Sequence, residues 1–163
     1  MNYLLDANTF IEAKNRYYGM EICPAYWEWL KKAYADGEIF SISLVKDELS
    51  NGNDGLSDWV KDNPEIFMDI ADEATQKAYI RVIETAAAIP DLRPEAMPEF
   101  LSVADSWIIA KALVTGSVIV THEAYNPAAK KRILIPNICE LLGVKYLNTF
   151  EMLSELDAEF VLA

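Results

Sequence analysis

Short apolar runs alternate along the chain with longer stretches whose apolar positions recur every three or four residues. Tyr3–Leu5, Ile39–Ser43, Ile66–Ile70, Ser117–Thr121, Ile133–Ile135 and Val144–Leu147 are predicted strands. Val118-Ile119-Val120 is uninterrupted, which suits a central strand buried on both faces. The helical period predicts helices over Asn8–Arg16, Pro24–Ala35, Leu44–Leu49, Leu56–Lys61, Asp72–Ile89, Leu101–Val114 and Asn137–Leu142, and from Thr149 to Leu156. Ser43 and Thr149 are predicted caps, Ser102-Val103-Ala104-Asp105 reads like a capping box, and Gly116 and Gly143 stop their helices. Pro90, Pro94 and Pro98 predict an extended connector within one domain, and Glu123–Lys131 a loop. Strands separated by helices imply an α/β fold with a mostly parallel sheet, spanning residues 1–163 as a single domain.

Composition narrows the function classes. With 52% hydrophobic and 25% charged residues, the chain has the makings of a substantial core. No apolar run approaches the roughly 18 residues of a membrane helix, and Asp6 interrupts any signal-peptide pattern. Cys23 and Cys139 are far apart and form no metal-type pair, so they read as reduced thiols and point to the cytoplasm. The net charge of −12 argues against a general nucleic-acid binder. It still allows a nuclease that holds its substrate by local cations and metal ions, and it suits a basic partner.

Four acids fall where such a fold gathers side chains. Asp6 ends the first strand, where open α/β sheets bind ligands. Glu48 lies on the face of its helix shared with Leu44, Val45 and Leu49, whereas Asp47 points elsewhere. Asp105 shares a face with Leu101, Ile108, Ile109 and Ala112. Glu123 follows the Val-rich strand. Converging carboxylates repel one another, and a hard divalent cation removes that conflict. All-oxygen ligation selects Mg²⁺ or Mn²⁺, as one or two ions, a chemistry suited to phosphodiester hydrolysis. Each acid also has a plainer reading: Asp6 and Asp105 as helix caps, Glu48 on a solvated helix, Glu123 as a loop acid.

These residues bring the chain to a known family. It resembles the PIN domains, metal-dependent ribonucleases that include the VapC-type toxins, and within that range the DUF4411 kind. The matching pieces are Leu5-Asp6-Ala7-Asn8, Val45-Lys46-Asp47-Glu48-Leu49, Ala104-Asp105-Ser106-Trp107-Ile108-Ile109-Ala110 and Val118-Ile119-Val120-Thr121-His122-Glu123. The resemblance implies a three-layer α/β/α fold with a central, mostly parallel five-stranded sheet. It implies an endoribonuclease with Asp6, Glu48, Asp105 and Glu123 as catalytic and metal-binding acids, supported by Asn8 and Thr121. It also implies an RNA substrate and an antitoxin partner, and leaves a homodimer open. Glu123 departs from the aspartate usual there; one methylene longer, it implies water-mediated binding or a weak second metal site.

The remaining motifs keep two readings each. Lys130-Lys131-Arg132, the only basic run, suits RNA phosphates near the cleft or a solvated surface. His122 is read first as a structural loop histidine and second as an acid–base group. Trp107 and the stripe Tyr26, Trp27, Leu30, Ala33 and Tyr34 are read as packing before base stacking or partner binding. Two other functions compete with the nuclease. One is a non-catalytic acidic binding module. The other, a phosphatase with an aspartyl nucleophile, wants a second aspartate where Asn8 stands.

Overall fold

A computed structural model describes residues 2–162. Five parallel strands form one sheet: β1 (Tyr3–Leu5), β2 (Ile39–Ile42), β3 (Phe67–Met68), β4 (Val118–Val120) and β5 (Tyr146–Leu147), in the order β3-β2-β1-β4-β5. Helices flank the sheet as a three-layer α/β/α sandwich. They are α1 (Ala7–Glu12), α2 (Pro24–Ala35), α3 (Ser43–Ser50), α4 (Gly55–Asp62), α5 (Glu73–Ala87), α6 (Ala96–Ser102), α7 (Asp105–Thr115), α8 (Ile135–Leu142) and α9 (Thr149–Glu155).

The central strands are β1 and β4, in register from Tyr3 with Val118 to Leu5 with Val120. All six of these residues are buried, as their continuous apolar character requires of strands covered on both faces. The aromatic stripe of α2 joins the same core: Tyr26, Trp27, Leu30 and Ala33 are buried, and Tyr18 stacks on Tyr26 at 4.6 Å. Both cysteines are free thiols. Among the described residues, no helix is long and apolar enough to cross a membrane.

Several local expectations are corrected. Ile133–Ile135 is not a strand. Ile133 and Ile135 bury their side chains, but Ile135 already opens α8 with Pro136 in its first turn, and the Ile135 N–H that a ladder would use is bound by the Glu123 carboxylate at 2.8 Å. The proline-rich connector contains α6, which tolerates Pro98 in its first turn. The single helix expected over Leu101–Val114 is therefore two, because Val103 turns to extended backbone (φ −120°, ψ 174°) between α6 and α7. No capping box forms there; the Ser102 hydroxyl donates to the Glu99 carbonyl instead. Asn148, not Thr149, caps α9 through a reciprocal pair with Glu151, and Ser43 is already the first residue of α3. The first helix leaves its α-helical path at Ala13 for a π-helical turn, Ala13–Tyr17. Lys14 on that turn pairs with Asp54, the cap of α4, at 2.5 Å.

Candidate functional site

Consecutive strands move one way from β1 to β2 and β3, and the other way from β4 to β5. The order therefore reverses between β1 and β4, and in doubly wound sheets a crevice opens beyond the carboxyl ends of the strands at that point. Asp6 follows β1 there, its N–H bound to the Val120 carbonyl at 3.1 Å. Thr121 and Glu123 follow β4 on the other side.

Asp6 is 3% exposed and does two things at once. As the cap of α1, its Oδ1 accepts from the Thr9 N–H and the Thr9 hydroxyl, each at 3.0 Å. The Thr9 hydroxyl also reaches the Val120 carbonyl at 3.0 Å, which ties the cap to β4. Burial pushes the Asp6 carboxyl up to about 6, against the opposing pull of hydrogen bonds from Thr121 and Thr9; the Glu123 charge adds to the rise. The plain capping reading is thus correct for Asp6 and does not displace the other, since the side chain also lines a cleft.

That cleft, about 190 Å³, is lined by Asp6, Asn8, Glu48, Glu99, Asp105 and Arg132, with Ala7, Ile11, Phe100, Val103 and Ile133 as its apolar walls. Asp105 enters from the first turn of α7, where a helix N-terminus favours negative charge. Its carboxyl is raised to about 7, by burial first and then by charge repulsion from Glu123, Asp6 and Glu48, with Arg132 opposing. Glu48 is on an exposed part of α3, yet its Oε1 accepts the Ala104 N–H at 2.8 Å. A carboxylate 56 residues upstream therefore caps the helix that carries Asp105.

Glu123 is close but differently engaged. Its side chain is 8% exposed, with Oε1 on the Ile135 N–H at 2.8 Å and Oε2 on the Arg132 guanidinium at 2.7 Å. Thr121 is buried, and its hydroxyl also accepts the Glu123 N–H at 3.1 Å. Asn8 stands exposed at the rim. Within the basic run, Arg132 faces the cleft, Lys131 is exposed and Lys130 is half-buried, its carbonyl bound by the Arg93 N–H at 2.9 Å.

The residues kept to structural readings behave that way. His122 Nε2 pairs with the Thr149 hydroxyl at 2.9 Å, beside Tyr17 and Phe150. Trp107 stacks on Tyr79 at 3.6 Å with the rings parallel to 2°, so its face is covered from within the protein. One member of the cleft, Glu99, and one buried partner of Asp6, Thr9, had no clear mark in the sequence. Glu99 arrives on the unexpected α6, and Thr9 is betrayed only by standing three residues after a capping aspartate.

Among the described residues, no three His, Cys, Asp or Glu side chains stand ready to enclose a metal ion. The donor set is nonetheless all carboxylate oxygen, and two of its members, Asp6 and Asp105, are short of positive charge. That chemistry fits a hard divalent cation. Glu123, with both oxygens already bound, fits it less well than Asp6, Glu48 and Asp105.

No curated protein and no solved structure matches the chain. One family model, described as a domain of unknown function, DUF4411, matches residues 3–160, so the chain belongs to the DUF4411 family.

Proposed function

We propose that the protein is a Mg²⁺/Mn²⁺-dependent endoribonuclease of PIN-like fold, acting as the toxin of a toxin–antitoxin pair. One observation carries the reading: Asp6, Glu48 and Asp105, from three separate segments, line a single cleft beyond the carboxyl ends of β1 and β4. In it Asp6, Glu48 and Asp105 hold the cation, which when bound supplies a water of lowered pKa and neutralises charge at the phosphate. Thr9 and Thr121 fix the orientation of Asp6. Glu48 sets the position of Asp105 through the start of α7 while offering its second oxygen to the cleft. Asn8 at the rim orients the substrate, and Lys130, Lys131 and Arg132 supply cations for the RNA backbone.

RNA cleavage measured with and without Mn²⁺ tests the proposal on the wild type, Asp6→Asn and Asp105→Asn. Each substitution is expected to lower Mn²⁺-dependent cleavage by about a hundredfold or more. Cleavage untouched by both would overturn the catalytic assignment.

A non-catalytic binding module is the second reading, favoured by a different surface. A groove of about 870 Å³ along β5 and α8 is lined by Glu123, Glu140, Glu151 and Glu155 against a single lysine, Lys145. With the net charge of −12, this suits a basic protein partner better than RNA. Calorimetric titration with Mn²⁺ separates the two, since a binding module has no metal site that Asp6→Asn abolishes.

A further inference from the structure

The Arg132 guanidinium lies among three acids: 2.7 Å from Glu123, 3.9 Å from Asp105 and 4.0 Å from Glu99. Among the described residues, it is the one basic side chain lining the acidic cleft. Its side chain is 49% exposed, whereas the next residue, Ile133, is buried at 2%. The backbone is thus anchored while the charged end is free to leave at little cost in buried area. Glu123 cannot follow it outward, because its other oxygen is fixed on the Ile135 N–H at the start of α8. Two cations in one small cleft repel each other, and Arg132 and a divalent ion compete for one carboxylate in particular, Asp105.

We infer that Arg132 is a resident counter-cation of the cleft, displaced when a divalent cation binds and then turned to an RNA phosphate. This rests on the metal-dependent reading above and adds to it a coupling between metal and RNA. Without the ion, Arg132 partly neutralises Asp105 and Glu123 and keeps the cleft closed to phosphate. With the ion, the guanidinium is released as a planar, bidentate phosphate donor beside the reacting centre. By linkage, RNA that engages Arg132 tightens metal binding as much as metal tightens RNA binding.

The test is calorimetric Mn²⁺ titration of the full chain as wild type, Arg132→Gln, Arg132→Lys and Asp6→Asn. Arg132→Gln is expected to bind Mn²⁺ about tenfold more tightly than the wild type, Arg132→Lys to stay near the wild type, and Asp6→Asn to lose the site. In a second arm, a short single-stranded RNA is followed by fluorescence anisotropy with and without Ca²⁺. Ca²⁺ is expected to tighten RNA binding of the wild type several-fold more than that of Arg132→Gln. Equal or weaker Mn²⁺ binding by Arg132→Gln, at a site that Asp6→Asn still abolishes, overturns the inference and leaves the metal-site reading standing. No Mn²⁺ binding by any of the four proteins overturns both.

Discussion

Helix α7 carries two charges within two turns, Lys111 buried and Asp105 half-buried, and the protein treats them in opposite ways. Lys111, 7% exposed, is fully partnered: its ammonium donates to the Asp69 carbonyl and Asp72 at 2.9 Å, and to Thr75 at 3.4 Å. The hydrogen bond from Lys111, with those from Thr75, holds the Asp72 carboxyl well below the usual carboxylate range. Asp105, at the start of the same helix, is surrounded by like charge, has its nearest cation 3.9 Å away, and is pushed up to about 7. Compensated charge fastens α7 to α5. Uncompensated charge at the other end is a cost to the fold that a bound cation can relieve. A residue's burial therefore says little about its purpose until its partners are counted.

The largest effect expected from breaking this contrast is at the uncompensated end. Asp105→Asn should lower Mn²⁺-dependent RNA cleavage by about a hundredfold or more and, in metal-free protein at pH 8, raise the melting temperature. Lys111→Ala should do the reverse: calorimetry should show a melting temperature lower by about 5–10 °C, with cleavage at 25 °C unchanged. The two substitutions moving stability in the same direction would dissolve the distinction.

A pH series sharpens it. Asp6 and Asp105 rise from the usual 3.8 to about 6 and about 7 on folding, so the folded protein binds their protons more tightly. Between about pH 4 and pH 7 the native state then holds more protons than the unfolded chain, and stability falls as pH rises. In urea titrations of metal-free protein, the contribution of the two sites to that loss should be at most about 7 kcal/mol, largely removed in the Asp6→Asn, Asp105→Asn double variant. The smallest effect expected is for Glu123→Gln. Its amide oxygen can still accept the Ile135 N–H, so stability should change by less than about 1 kcal/mol. Its Mn²⁺ affinity should remain within about threefold of the wild type, as measured by calorimetry, because Glu123 already spends both oxygens inside the protein.

What could be read from the sequence follows the range of the interactions involved. Strands β1 and β4 were legible because Tyr3-Leu4-Leu5 and Val118-Ile119-Val120 are apolar on both faces, and the site aspartate after β1 follows from the same run. Glycines 116 and 143 ended their helices as expected, at φ 69° and 71°, where a side chain would be strained. The misread stretches are those settled by distant partners. Ile133–Ile135 has the composition of a strand, but Glu123, 12 residues before Ile135, takes the amide that pairing would need. Leu101–Val114 has the period of one helix, yet Glu48 supplies a cap at Ala104 that no local residue announces. The place of Arg132 in the cleft stood as one of two readings, since a basic run looks the same whether it faces solvent or acid.

The cap that Glu48 places on α7 has a consequence for how the sequence can vary. A side chain at position 48 must reach Ala104 with an acceptor, which glutamate and glutamine both can, and which aspartate, shorter by a methylene, cannot at the same backbone separation. A saturation library at this position sorted only for soluble, folded protein should retain Glu and Gln together. The same library sorted for cleavage should retain Glu alone. The difference between the two survivor lists at one codon would separate what Glu48 does for the architecture from what its charge does for the cleft.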